Sequence, residues 1–319
     1  MDNTLIATNS SWTVAADVPC ALGESPFWCA REERLYWVDI LLHRIWRLNV
    51  LSGQAEHWDL PSEPCSLAPT RTGGLLIAMR DGIYLSSGWK DTPRLLVPAP
   101  YNPAGMRFND GKCDPWGRFW VGTYAQTDDL SGGGLYCLGR RVRATPLLTE
   151  VHRGARNYNG LGWSPDGRTA YWADTANHQV MEQAIHNAGQ YPPQLGMALP
   201  MARFEPKPDG WTFEQAAGVG YGGRPDGAAV DAAGRYWVAM YEGARVLCLS
   251  PQGEVLAELA TPAQCPTMVC FGGKDLRTLY LTTARARRSD AELHGYPHSG
   301  AVFALKMNVS GLPPGTYED

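Results

Sequence analysis

The sequence predicts an all-β fold: a six-bladed β-propeller with four antiparallel strands per blade, formed by residues 1–319 as a single domain. Three observations predict it: an aromatic strand pattern that recurs six times, a tight-turn motif ahead of the recurrences, and a leftover strand pattern at residues 12–18. The recurring segments are RLYWVDI (34–40), GLLIAM (74–79), RFWVGT (118–123), TAYWADT (169–175), RYWVAM (235–240) and TLYLTTA (278–284). Their centres at Trp37, Ile77, Trp120, Trp172, Trp237 and Tyr280 are separated by 40, 43, 52, 65 and 43 residues. A four-stranded blade takes about 40 to 50 residues, so the two wide gaps predict extra loops in blades three and four.

Inside each unit the same order returns. A strand of small residues leads to a turn such as DPWGR, SPDGR or DAAGR, then to the aromatic strand, then to a strand such as HRIWRLN, GGLYCLG or ARVLCLS. Gly, Asp and Pro at those turns are what tight antiparallel connections require. Period-two alternation in LYWVDI and RVLCLS turns one face toward a neighbouring blade, and small-residue strands such as GAAVDAA suit the crowded centre of a radial fold. Little beyond GAVFALKM is strand-like, so the last blade is one strand short, while WTVAADV precedes the first inner strand unpaired. Pairing the two removes the free sheet edges of an open ring, and the N-terminal strand is predicted to complete blade six.

Composition supports this reading and narrows the partners. Gly 35 and Pro 24 suit many turns, and the 44% apolar content is spread evenly rather than gathered into helical stripes. With 28 basic and 32 acidic residues and no basic run of the kind that marks nucleic-acid or membrane-surface binding, neither partner is expected. Eight cysteines without a CxxC pair read as reduced core residues. The absence of a signal pattern or an apolar span predicts a cytoplasmic protein, and a monomer or weak homo-oligomer is expected.

Four polar runs, GESP from Gly23, RFNDGK from Arg107, NGLGW from Asn159 and RPDG from Arg224, share one place in the repeat. Glu24, Arg107 and Asn159 each lie 13 residues before the tryptophan of the next strand, and Asp226 lies 11 before Trp237. Residues of equal phase in a radial fold meet at its axis. The expected gathering is two carboxylates, two carboxamides and an arginine, with no histidine or cysteine, which suits a hard cation beside a hydroxylated or anionic ligand.

The runs GESPFW, RFNDGKCDPWGRFWVGT, YNGLGWSPDG, RPDGAAVDAAGRYWVA and CFGGKDLRTLYLTTAR, in this order and nearly end to end, resemble the regucalcin (SMP-30), gluconolactonase and luciferin-regenerating-enzyme family. The resemblance implies a six-bladed propeller, one divalent cation on the axis and hydrolysis of a sugar lactone. It assigns metal ligation to Glu24, Asn159 and Asp226, and substrate contact to Arg107 and Asn109. Two positions depart from the family pattern. Gln126 and Thr127 in GTYAQT stand where animal regucalcins carry an acidic pair that reaches the sugar, and Gly162 replaces the aspartate of NGLDW.

These ligands offer only oxygen donors, which leaves Ca, Zn, Mn, Mg or Fe as the cation and positions free for water and substrate. Asp226 is the expected general base, a ligand able to take a proton from the attacking water. Arg107 presents a rigid fork of donors to substrate oxygens, and Asn109 both donates and accepts. Asp110 or Lys112 is a candidate supporting partner. The predicted activity is hydrolysis of an aldonolactone such as glucono-, xylono- or arabinolactone, with loops 124–134 and 186–223 roofing the site. An esterase or organophosphate hydrolase on the same metal, or a non-enzymatic calcium-binding propeller, is the alternative.

Several motifs read as structural. Asp166 of SPDGR falls in an outer hairpin and Asp174 at a strand end, both expected in turn chemistry. GVGYGG from Gly218 fits GxGxxG but leads into RPDG rather than a helix. His294 and His298 flank Pro297 and are expected in a surface loop. The other histidines show no ligand spacing, and no GxSxG or HExxH run is present.

Overall fold

The computed structural model describes residues 3–7, 10–126, 132–140, 146–215 and 220–319. Six four-stranded antiparallel sheets form the blades. From axis to rim, blade one runs Gly23–Cys29, Arg34–Asp39, Arg44–Asn49 and Gln54–Asp59. Blade two runs Pro64–Pro69, Leu75–Met79, Gly82–Ser86 and Arg94–Pro98, and blade three Met106–Cys113, Phe119–Ala125, Gly134–Leu138 and Leu148–Arg153. Blade four is Tyr158–Trp163, Thr169–Asp174, Gln179–Ala184 and Leu199–Arg203, and blade five Arg224–Val230, Tyr236–Tyr241, Arg245–Leu249 and Val255–Ala260. Blade six takes Pro266–Gly272, Thr278–Thr283 and Val302–Lys306 from the end of the chain and Thr13–Ala16 from its beginning. The register Thr13↔Ala304 and Val14↔Phe303 is the predicted closure.

The aromatic strands build the wedges between blades. Trp37, Trp120 and Trp237 are wholly buried, and Trp172 nearly so. At roughly 25 cal/mol per Å² each such indole removes about 4–6 kcal/mol worth of surface from water, as an upper estimate. Trp37 Nε1 donates to Cys20 Sγ and Trp172 Nε1 to Gln183 Oε1, whereas the N–H groups of Trp120 and Trp237 are satisfied by the turns that precede them. Asp114 of DPWGR accepts from the Trp116 and Arg118 backbone, from the Arg118 guanidinium and from Trp120 Nε1 at 2.7 Å. Asp231 of DAAGR repeats the pattern with Arg235 and with Trp237 Nε1 at 2.9 Å. The turn motif and the strand tryptophan are thus one hydrogen-bonded unit. All eight cysteines are buried, and none forms a disulfide.

Every inner strand carries a one-residue bulge against its neighbour. It opens at Glu24 in blade one, Phe108 in blade three, Asn159 in blade four and Pro225 in blade five. A bulge re-aims side chains and bends the strand, and it needs backbone that extended residues do not supply. Gly160 follows Asn159 at φ 63°, and Ser25 follows Glu24 in the same left-handed region at φ 49°. Ser25 is held there by its hydroxyl, which accepts from Leu67 N at 2.9 Å. Gly160 cannot be replaced so, because a Cβ there would meet the Tyr236 hydroxyl at 2.2 Å.

Two expectations are corrected. The loop after blade four's third strand does not roof the polar end of the axis. Its first part folds at the other end, where Arg118 donates to Gln190 O and Gly189 packs on Trp116. Among the described residues of its later part, Lys207, Trp211 and Tyr221 come near the rim of the site, through Glu242 and His178. His294 lies in a short helix, Asp290–Gly295, capped by Ser289, rather than in a loop, while His298 sits beyond it beside Asp17. Thr127, part of the loop 124–134, and Gly218 of GVGYGG lie outside the described residues. Among the described residues, no helix is long and apolar enough to cross a membrane.

Candidate active site

Two cavities lie along the axis, one at each end. The larger, about 730 Å³, is lined by residues of the turns and by the C-terminal segment from Leu312 to Glu318. Its carboxylates are already engaged: Asp114 by Arg118 and Trp120, and Glu318 by Arg71. The smaller, about 470 Å³, opens where the inner strands begin, and Glu24, Arg107, Asn109, Asn159 and Asp226 all line it. Size favours the first cavity and chemistry the second; hydrolytic chemistry needs ionisable groups not already held by ion pairs.

The bulges explain how residues of different spacing reach one point. Glu24 and Asn159 open their bulges, whereas Asn109 and Asp226 each lie one residue inside theirs, following Phe108 and Pro225. Equal phase holds for Glu24 and Asn159, and the count that put Arg107 and Asp226 with them is displaced by one residue. The bulge absorbs the difference.

A hydrogen-bonded chain orders the amides. Arg107 Nη1 donates to Asn109 Oδ1 at 2.6 Å and to Phe108 O at 2.8 Å, with its guanidinium 5.3 Å from the Tyr124 ring centre. Asn109 Nδ2 donates to Asn157 Oδ1, Tyr158 O and Asn159 Oδ1. Asn159 Nδ2 in turn donates to Thr175 Oγ1 at 2.8 Å, and Thr175 donates to Pro225 O at 2.7 Å, beside Asp226. Thr175 thereby fixes which end of the Asn159 amide faces the cavity. Sequence reasoning missed it, because a strand-end threonine carries no local signal. Thr175→Val keeps the shape and removes the hydroxyl; the expected result is an activity or cation affinity lower by about 10- to 100-fold, measured by turnover and by titration calorimetry.

The carboxylates are in an electrostatically costly place. Glu24 and Asp226 are both buried. Burial, then the nearby Asp226 and Asp110, push the Glu24 carboxyl well above its usual range. Burial likewise raises Asp226, opposed by Arg224 and Arg107 and reinforced by Asp110. Among the described residues Glu24 accepts only from Ser25 N, and none donates a hydrogen bond to Asp226. Two crowded, under-bonded carboxylates that share a cavity with the Asn159 carboxamide fit a divalent cation, whose charge would relieve the repulsion. Among the described residues no three His, Cys, Asp or Glu side chains cluster, so a third ligand from this set is an amide oxygen.

Other candidates fall behind the site. Asp110 accepts from Leu161 N with one carboxylate oxygen, while its other is buried without a partner. Lys112 Nζ donates to Ala228 O, and burial lowers its pKa. Gly162 lines the opposite cavity, so that departure lies away from the site. Gln126 does line the site, with Oε1 held by Arg80 at 2.9 Å. Asp166 and Asp174 serve turns, accepting from Arg168 N and Asn177 N. Sequence reasoning also missed Arg156, Arg224, Arg287 and Arg288 at the mouth. The signals were present, in the first letter of RPDG and in the run ARARR.

A profile described as the SMP-30/Gluconolactonase/LRE-like region matches residues 22–285. The 6-deoxy-6-sulfogluconolactonase of Pseudomonas putida is 43% identical over 293 residues, 92% of this chain and 94% of that one. The putative sugar lactone lactonase YvrE of Bacillus subtilis (strain 168) is 30% identical, over 94% of this chain and 96% of its own. Among solved structures, the calcium-binding protein regucalcin of Agrobacterium tumefaciens superposes with a TM-score of 0.85 at 26% identity, covering 97% of both chains.

Proposed function

The chain belongs to the SMP-30/gluconolactonase/LRE-like family, and from that membership we propose that it hydrolyses the ester bond of a sugar lactone, an aldono-1,4- or 1,5-lactone, to the aldonic acid with one divalent cation. The observation that carries this reading is the convergence of Glu24, Asn159 and Asp226 with Arg107 and Asn109 in one axial cavity. Relatives named as lactonases support the reaction class, and one acts by its name on a hexonolactone derivative.

Glu24, Asn159 and Asp226 would hold the cation, which would act as a Lewis acid on the ester carbonyl and acidify water beside it. Arg107 is held by Asn109 Oδ1 and the Phe108 carbonyl with donors remaining for substrate oxygens. Asn109 and Asn157 complete a polar wall that orients ring hydroxyls. Asp226 accepts the proton of the attacking water and can return it to the leaving alkoxide as the ring opens.

Acid release from glucono-, xylono- and arabinolactone is expected to exceed spontaneous hydrolysis, to vanish with chelator and to return with one of Ca, Zn, Mn, Mg or Fe. A protein that turns over none of these with any ion, yet melts markedly lower after chelation, would hold its ion for structure alone.

A further inference from the structure

The chain carries a net charge of −4, yet the mouth of its active-site cavity runs strongly against that balance. Five arginines line the cavity, Arg107, Arg156, Arg224, Arg287 and Arg288, against two carboxylates, Glu24 and Asp226. A bound dication would cancel the carboxylates, and with Arg288 paired to Glu242 and Glu292 and Arg224 beside Glu242, the charge of Arg287 still faces the cavity without a described partner. A neutral sugar ring gains little from that field, since its hydroxyls are served by Arg107, Asn109 and Asn157.

The arginines are built into place. Glu242, itself buried, accepts from Lys207 Nζ at 2.8 Å and from Arg288 Nη1 at 3.0 Å, and lies 3.5 Å from Arg224 Nη2. Arg288 is further tied to Glu292 by a two-pronged ion pair. Arg224 stacks over Tyr241, with 5.2 Å from its guanidinium carbon to the ring centre, and keeps most of its fork free. Between these anchors stands Arg287, with no hydrogen bond or ion pair to any described residue and a left-handed backbone at φ 60°. The backbone N–H groups of Arg285 and Ala286 both donate to Ala21 O, which pins the segment on the rim. A non-glycine residue held at positive φ, with its charged head unpartnered over a cavity, is a conformation that the surrounding structure imposes.

Resting on the lactonase reading, we propose that the substrate lactone carries a tetrahedral oxyanion, a sulfonate or a phosphate, on the carbon chain outside its ring, and that Arg224 and Arg287 receive it. Guanidinium forks match such oxyanions through paired N–H donors. The lactone carbonyl then lies toward Glu24 and Asp226 at the axis, and the anionic end toward the rim between blades five and six. Arg288 and Glu242 act as positioning residues.

The test compares kcat/KM of the full chain, loaded with its supporting cation, on glucono-1,5-lactone, 6-phosphogluconolactone and 6-deoxy-6-sulfogluconolactone. A charged lactone is expected to be preferred at least tenfold at low salt, the preference shrinking as ionic strength rises, and the better of the two charged arms identifies the group. Arg287→Gln, a substitution at an exposed side chain without partners, should cut the charged-to-neutral ratio about tenfold through KM, and Arg287→Glu further. The same variants should weaken binding of 6-phosphogluconate, measured by calorimetry, far more than binding of gluconate. Equal kcat/KM for charged and neutral lactones, or a ratio that neither Arg287 nor Arg224→Gln moves, overturns the anion subsite while leaving the lactonase reading intact. Failure on all three lactones, with 6-phosphogluconate bound no better than gluconate, overturns both.

Discussion

Asp226→Asn is expected to lower kcat for lactone hydrolysis by at least about a hundredfold while leaving the circular dichroism spectrum that of a folded β protein. The physical ground is specific to this position. Asp226 lies inside the blade-five bulge, buried, with no described donor to its carboxylate, so an amide of the same shape removes a proton acceptor without breaking a hydrogen bond. Burial and Asp110 already push the carboxyl toward its neutral form, so the neutral amide adds no strain to the fold. Near-normal kcat in the asparagine variant would rule out Asp226 as the base, and an unfolded variant would show that its role is structural.

The second large effect concerns the cation. The unmodified protein is expected to melt higher when a binding divalent ion is added, because an ion that binds only the folded state stabilises by about 2.7 kcal/mol at a hundred times its Kd. Glu24→Gln should abolish that upward shift. It should also leave the metal-free protein at least as stable as the unmodified one, since the amide carries no charge at a place where burial, Asp226 and Asp110 disfavour the carboxylate. Differential scanning fluorimetry with and without ion and chelator separates the two outcomes. A glutamine variant that still gains the full ion-dependent shift would show that the ion sits elsewhere.

Much of the architecture was legible because it repeats. The aromatic strands at Trp37, Trp120, Trp172 and Trp237 sit in the predicted sheets, and the leftover segment near residue 13 closes blade six against Ala304. Hydrophobic periodicity and turn chemistry are local properties, and each unit states them again. The site was legible in part. Glu24, Arg107, Asn109, Asn159 and Asp226 line one cavity as expected, although the count placing Arg107 and Asp226 in phase with Glu24 was one residue out. Spacing in sequence cannot register a bulge, whose extra residue is taken up by left-handed backbone at Ser25 and Gly160.

What escaped the sequence was contributed by single residues of non-repeating segments. Thr175 orders the Asn159 amide from a strand end, and Arg287 and Arg288 reach the mouth from the segment after Thr283. The long insertion after blade four's third strand, expected over the site, spends its first part at the opposite end, packed on Trp116 and Arg118. The sequence by itself determined the number of blades, the way the ring closes and the group of oxygen-bearing side chains that share one cavity, since each rests on a pattern written several times over. Only the tertiary structure decided which end of the axis gathers charge, which amide oxygen faces the cavity and which arginines surround it. Those depend on contacts between residues as distant as Glu242 and Arg288 or Asn109 and Asn159, and no local pattern encodes the geometry of a pair until the blades have brought it together.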